Sequence, residues 1–314
     1  MTILFNSILL LFLFIALGWS ADFTVKNIKY IGAALKIRLF AFGIVLGLIT
    51  TLPELSLGIN ATVDQAATLS VGNLLGGIIV MLGLIAGLSL IFNRKTNTDG
   101  RLASILPTAL IIFSPILFGI DGNYGVIDGL AMIGLYLFLI FYLYRLNHFS
   151  NHVHIQIINR NKITKAILCA IAGTIGVLVS SHWLIKITLD LLTYTQLSPL
   201  VIGLVVFSVG TNLPEISIAI TSWRKKSSEL SLSHLLGSSF TNILVLGILS
   251  ILQPIVFDTT SAYWVVALFL GIILTLFTYF YYSNKKMERS EGTVLLTSYI
   301  FFMTVNFYLI SKIL

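Results

Sequence analysis

Only one cysteine, Cys169, stands in the 314 residues, which excludes an intrachain disulfide and a cysteine-built metal cluster and leaves the redox compartment unread. Charge is also scarce. Asp, Glu, Lys and Arg make up 10% of the chain against 57% hydrophobic residues, so no soluble domain can be carved from it and it reads as a polytopic membrane protein. A net charge of +7 would suggest nucleic acid as a partner of a soluble chain. Here the basic residues fall in short loops between apolar runs, where they orient the chain in a bilayer instead. No Gly-x-x-x-x-Gly-Lys-Ser/Thr stretch occurs, so a nucleotide does not drive the protein directly. The first twenty residues lack a basic start and a small-x-small cleavage site and read as a first membrane span rather than a leader. Proline is limited to six residues, and two of these, Pro53 and Pro214, stand inside long apolar runs directly before a glutamate.

What is abundant is apolar sequence of spanning length. Runs at about 3–20, 36–63, 67–92, 103–120, 125–147, 163–185, 195–222, 230–252, 261–283 and 292–312 give ten helices by the roughly 20-residue criterion. Loop charge supports that threading. The odd loops hold Lys26, Lys29, Lys36 and Arg38; Arg94, Lys95 and Arg101; Arg145, Arg160, Lys162 and Lys165; Arg224, Lys225 and Lys226; and Lys285, Lys286 and Arg289. These are 17 of the 19 basic residues, leaving Lys186 and Lys312, so the odd loops are expected in the cytoplasm and both termini outside.

The chain also repeats itself. An offset of 161 lays Thr50, Leu52, Pro53, Glu54 and Ser56 on Thr211, Leu213, Pro214, Glu215 and Ser217, and further on Leu74-Leu75-Gly76 on Leu235-Leu236-Gly237. Five helices is an odd number, so the second copy enters the membrane from the opposite side. The expected fold is an all-α membrane protein of ten transmembrane helices in two inverted five-helix repeats, with helices 2 and 7 broken at the Pro-Glu motifs. Residues 1–147 form the first repeat, 148–162 a cytoplasmic linker loop and 163–314 the second repeat.

Each motif puts a proline and a carboxylate at a depth where a helix should be unbroken and uncharged, which a bilayer tolerates only around a polar cavity. Pro53 and Pro214 lack the N–H that would bond the carbonyls of Ile49 and Gly210. Thr50 with Glu54, and Thr211 with Glu215, are spaced i, i+4 and share a helix face. Two carboxylates, two hydroxyls and spare carbonyls form an all-oxygen set suited to a hard cation, Ca²⁺ above all.

These paired motifs, each followed after about twenty residues by a glycine-rich element in the next apolar segment, resemble the alpha repeats of the sodium/calcium exchanger superfamily, the cation/calcium antiporters. The resemblance covers both repeats. It implies that Glu54 and Glu215, helped by Thr50 and Thr211, bind Ca²⁺ and Na⁺ competitively, with Gly47 and Ser208 as backbone ligands. The second repeat keeps a serine and a polar residue four positions on, Ser238 and Asn242 in Gly237-Ser238-Ser239-Phe240-Thr241-Asn242. In the first, Gly77 and Met81 stand at those places, so two oxygen ligands are lost and a soft thioether takes one position. A full set of sodium sites is therefore not expected. Facing carboxylates repel, so one can hold a proton when the metal leaves, which makes H⁺ a candidate counter-ion beside Na⁺.

The expected function is secondary active antiport of a cation, most simply Ca²⁺ leaving in exchange for Na⁺ or H⁺ by alternating access, with no cofactor, nucleotide or nucleic acid and with inorganic cations and the lipid bilayer as partners. A prokaryotic plasma (inner) membrane fits the lack of a large regulatory loop. Three alternatives stay open: a divergent member moving another monovalent or divalent cation, a membrane-embedded enzyme using the two carboxylates as acid and base, and a channel. His234, at the position of Asn73 in the first repeat, is a candidate proton relay or an interfacial histidine. His148, His152 and His154 are a metal clip or a solvated loop, and Asp128 lines an ion entrance or caps the interface. Gly72, Gly76, Gly77 and Gly237 are expected to permit close helix approach. The aromatic run Phe277 to Tyr282, with Trp264 in the same helix, reads as interface anchoring.

Overall fold

The computed structural model describes residues 2–34, 49–146, 160–194, 197–225, 228–259 and 261–311, and it is helical almost throughout. In hydrocarbon, backbone polar groups must find partners within the chain, and an apolar run does so as a helix. The helices are α1 (Thr2–Ala34), α2 (Leu52–Val63), α3 (Ala67–Ile79), α4 (Ala86–Asn93), α5 (Leu102–Phe118), α6 (Val126–Leu146) and α7 (Arg160–Tyr194). They continue with α8 (Pro199–Ile202), α9 (Ser208–Thr211), α10 (Leu213–Lys225), α11 (Ser228–Leu252), α12 (Ser261–Tyr282) and α13 (Arg289–Ser311). Two π-helical turns, Val80–Ile85 and Gly203–Phe207, join α3 to α4 and α8 to α9 without a loop. Among the described residues, eight helical stretches are long and apolar enough to cross a membrane, and α5 is a shorter apolar helix. The expected second span, 36–63, is represented by α2, with residues 35–48 outside the described part.

The stretch Ala67–Asn93 is almost wholly covered by protein, as is most of Leu232–Leu252, whereas α6 and α13 keep most of their surface outward. Phe5, Leu11, Ile127, Leu130 and Leu268 stand exposed on the outer helices, the reverse of a soluble surface and the arrangement a lipid solvent favours. α1 lies along α7, α3 against α8 and its π turn, α11 against α6, α4 against α13, and α5 against α12. Glycines set the tightest crossings. A Cβ on Gly72 would collide with the Leu200 carbonyl and one on Gly203 with the Leu69 carbonyl, and Gly76 is packed against Leu204 and Ser208. Gly237 departs from expectation, because nothing lies within 4 Å of the place its Cβ would take, so it carries no close approach.

Two short antiparallel ribbons close the bundle. β1 (Lys95–Asn97) pairs with β4 (Lys286–Glu288) in the register Lys95 to Glu288, and β2 (Asn123–Tyr124) pairs with β3 (Ile255–Val256). Each joins one strand from the first half of the chain to one from the second. Asp128 accepts the Gly125 N–H at 2.8 Å, so its structural place is the cap at the start of α6. The aromatic run on α12 divides: Phe277 and Phe280 are buried in the core, while Tyr279, Tyr282 and Trp264 are exposed as anchors would be. The loop histidines His148, His152 and His154, and most of the linker, lie outside the described residues.

Candidate functional site

A helix begins at the equivalent place in each motif. Thr51 (φ −92°, ψ 10°) and Asn212 (φ −84°, ψ 11°) both leave helical geometry. α2 and α10 then start at Leu52 and Leu213, which puts Pro53 and Pro214 in a first turn, where a missing N–H costs no helical bond. The ladder resumes with Leu55 N–H to Thr51 O and Ile216 N–H to Asn212 O, each 3.0 Å. The Gly210 carbonyl, deprived of its partner by Pro214, is approached by the Asn212 N–H instead. Glu54 and Glu215 thereby fall in the first turns of α2 and α10, where partial positive charge from free N–H groups favours a carboxylate.

Both glutamates are buried, at 3% and 1% exposure, and they sit close enough for the charge of Glu215 to act on Glu54, which also lies beside the Thr211 hydroxyl. Around them the helices interlock through polar contacts. Thr50 Oγ1 is 3.5 Å from Ser238 Oγ, linking the first motif to α11. Thr211 Oγ1 donates to Asn73 Oδ1 at 3.0 Å, linking the second motif to α3. Asn212 Nδ2 donates to Ser208 O at 2.7 Å, and Asn242 Nδ2 donates to Leu74 O at 3.1 Å. With each amide nitrogen so held, the amide oxygen must point the other way.

That orientation leaves a set of buried acceptors without a hydrogen-bond partner: Glu54 Oε2, both oxygens of Glu215, Asn212 Oδ1 and Asn242 Oδ1. Buried polar atoms are nearly always paired, and each orphan carries a desolvation cost of about 1–3 kcal/mol, more for a charged group. Five orphaned oxygens in one region, with carboxylate charge among them, are what a hard cation would satisfy. Among the described residues there is no group of three or more His, Cys, Asp or Glu. Such an ion would therefore be held by the carboxylate pair with neutral hydroxyls and amides.

The structure brings together Thr50, Glu54, Thr211, Glu215, Ser238 and Asn242. Gly47 lies outside the described residues. The Ser208 carbonyl accepts a hydrogen bond from Asn212 Nδ2. At Gly77 the space a Cβ would enter is bordered by Asn212 Nδ2 at 3.1 Å and Asn242 Nδ2 at 3.2 Å, so donors rather than oxygens face it. Met81 is buried with its sulfur 3.7 Å from Ser239 Oγ, packing on α11. His234 is half-buried one turn before Ser238 on α11.

Two residues of this region were not singled out from the sequence. Asn212 stands in the second motif itself, and Asn73 is a buried amide in an apolar helix; an intramembrane polar side chain is the signal that marks both. A second polar group joins α2 to α7, where Ser56 contacts Ser181 and His182 Nδ1 lies 3.2 Å from Asn60 Oδ1. A histidine within an apolar span was the visible sign of it.

Comparison with known proteins bears on this arrangement. The sodium/calcium exchanger protein family matches residues 5–145 and 165–308. The uncharacterized membrane protein MJ0091 of Methanocaldococcus jannaschii is 27% identical over 291 residues, covering 91% of this chain and 93% of its own. The sodium/calcium exchanger MaX1 of Methanosarcina acetivorans is 24% identical, with 97% and 99% of the two chains covered. Among solved structures, the sodium-calcium exchanger NCX_Mj soaked with Na⁺ and Sr²⁺ superposes with a TM-score of 0.68 at 24% identity, over 96% of this chain and 98% of that one, a likeness of fold. With both halves of the sequence matched and the two motif glutamates buried, the chain belongs to the sodium/calcium exchanger family, whose members are membrane antiporters rather than enzymes.

Proposed function

We propose that this protein exports Ca²⁺ in exchange for Na⁺ or H⁺ by alternating access, with Glu54, Glu215, Thr50, Thr211, Ser238 and Asn242 as the ion's ligands and Asn212 as a further one. The observation that carries the reading is the cluster of buried oxygens on Glu54, Glu215, Asn212 and Asn242 that no protein donor satisfies. Ser208 O and, by resemblance, Gly47 O complete the shell, and Pro53 and Pro214 create the breaks that expose them. When the ion leaves, the facing carboxylates share a proton or admit Na⁺. His234, one turn from Ser238, is placed to pass protons between the site and the basic face.

Ten spans in two inverted repeats, residues 1–147 and 163–314 about the 148–162 linker, give this site its two-sided access. The ribbons support that symmetry: the offset of 161 carries Lys95 in β1 onto Val256 in β3, and carries β2 to within two residues of β4. The loop charges support termini outside and the plasma membrane of a prokaryote as the setting.

Proteoliposomes loaded with Na⁺ or with protons test this through uptake of ⁴⁵Ca²⁺, with Glu54→Gln/Glu215→Gln as control. Uptake driven by one gradient and lost in the variant supports the reading and identifies the counter-ion. Folded protein that moves no Ca²⁺ under either gradient refutes it. A second reading, transport of a different cation, is favoured by the amide donors that border Gly77 and by the packing of Met81 on α11. Gly77→Ser with Met81→Asn tests it: unchanged ion selectivity would remove these positions as the cause.

A further inference from the structure

Away from the ion site, a mainly apolar groove of about 490 Å³ runs between α5 and α12. Its walls are Leu106, Leu110 and Phe113 on one side and Gly271, Thr275 and Tyr279 on the other. Leu110 and Tyr279 are more than half exposed, so the groove opens sideways onto the surface that faces lipid. The Thr275 hydroxyl is turned back onto the Gly271 carbonyl at 2.7 Å, which leaves its methyl group for the groove. The size lies within the roughly 300–1,000 Å³ typical of small-molecule sites.

The groove begins at Leu102 and Tyr282, at the basic face of the bundle, and ends at Phe113 and Gly271. Eleven residues of helix span about 16 Å, roughly half of a ~30 Å hydrocarbon core and therefore the depth of one leaflet. At its mouth the β1–β4 ribbon and the adjoining helix ends bring together Arg94, Lys95, Arg101, Lys285, Lys286 and Arg289, against the acids Asp99, Glu288 and Glu291. All three acids are engaged locally, Glu291 by accepting the Glu288 N–H at 2.7 Å. Asp99 accepts the Arg101 N–H and the Ser104 hydroxyl, and Glu288 pairs with Lys286. Arg101 and Lys285 are both exposed, and Lys285 packs on Gly100, the residue before Arg101.

The opposite end of the α5–α12 pair is built differently. There Tyr124 and Tyr263 donate to the carbonyls of Pro115 and Ile116 at 2.8 and 2.7 Å, and Phe257 packs between their rings. Those three side chains fill the corresponding space. The nearby segments 119–128 and 253–262 hold Asp121, Asp128 and Asp258 and no lysine or arginine. One end is plugged and acidic, and the other is open and basic.

We infer that the α5–α12 groove is a binding site for one acyl chain of an anionic phospholipid of the leaflet on the basic face, whose phosphate headgroup is held by Arg101 and Lys285. The inference rests on the membrane-spanning reading but is independent of which ions are transported, so a failed Ca²⁺ assay leaves it standing. Reconstitution of the whole chain in an equimolar mixture of phosphatidylglycerol and phosphatidylcholine, followed by native mass spectrometry, tests it. One phosphatidylglycerol retained per chain in preference to phosphatidylcholine is the expected result. Arg101→Gln/Lys285→Gln lowers that preference roughly thirtyfold, as two lost headgroup charges at about 1 kcal/mol each imply. Gly271→Phe, which places a ring where only Phe113 now borders the position at 3.6 Å, removes the bound lipid. A phosphatidylglycerol carrying a diazirine in its acyl tail, applied to the unaltered chain, labels α5 and α12 about Leu110 and Thr275 and so decides the matter even if Gly271→Phe fails to fold. Equal retention of the two lipids, labelling spread over other helices, or a lipid-free two-chain species joined through this face would each overturn the inference.

Discussion

Replacing Glu215 by glutamine separates ion binding from folding. Both Glu215 oxygens are buried without a partner and face Glu54, so the carboxylate contributes nothing to the fold that a hydrogen bond would reveal. Glutamine keeps the shape, removes one of two neighbouring negative charges and offers an N–H to Glu54. The cation-free protein should therefore melt no lower than the original. Its response to Ca²⁺ should differ sharply. A ligand at one hundred times its dissociation constant stabilises the native state by about 2.7 kcal/mol. For a chain of 314 residues that corresponds to a rise of roughly 4 °C in Tm. The measurement is thermal unfolding in detergent, following intrinsic tryptophan fluorescence across a Ca²⁺ titration. The original chain should show the rise, and Glu215→Gln should lose most of it at the same Ca²⁺ concentration. An undiminished Ca²⁺ response would show that Glu215 is not a ligand. A cation-free Tm several degrees below the original would show that it is structural, and either result refutes the assignment.

Other substitutions probe the packing of the helices. Gly72→Ala drives a methyl group into the Leu200 carbonyl and should cost about 1–3 kcal/mol by overpacking, whereas Gly237→Ala meets open space and should be neutral or stabilise by up to about 1 kcal/mol; paired thermal melts compare them. Trp223→Phe removes the 2.8 Å bond from the indole to Ser89 and should cost about 1 kcal/mol, read by denaturant unfolding. At the β4 ribbon Lys286 holds the Glu288 carboxyl below its ordinary range. Any stabilisation from that pair is present above the ordinary carboxylate pKa and is lost as pH falls through the lowered folded value. Because both groups are solvent-screened, Glu288→Gln should leave the melting temperature at pH 7 unchanged.

The parts of this molecule legible in its sequence are those governed by local rules. Long apolar runs can satisfy their backbones only as helices, and Pro53-Glu54 with Pro214-Glu215 is an arrangement a bilayer does not tolerate idly, so the helical membrane class and the motif helices could be read directly, while among the described residues eight stretches, and not ten, are long and apolar enough to span. The ribbons could not. β1 and β4 are three-residue strands almost two hundred positions apart, and their pairing depends on tertiary proximity rather than on any pattern within either loop. The π turns at Val80–Ile85 and Gly203–Phe207 were equally hidden, since their composition is that of any apolar helix. Within the candidate site the glutamates and threonines stood out by spacing. The parts played by Asn73 and Asn212 emerged only once the helices were packed, because a hydrogen bond between α3 and α9 has no sequence signature. Gly237 shows the converse error, a glycine that matched the pattern of its repeat yet meets no neighbour.

Each ribbon takes one strand from before the 147–159 segment and one from after it. Strands of two or three residues have no stability of their own, so neither half of the chain can finish its loops without the other. The two halves are obligate complements rather than independent folding modules. A chain severed between Asn147 and Asn159 would regain its fold only through co-assembly of both fragments.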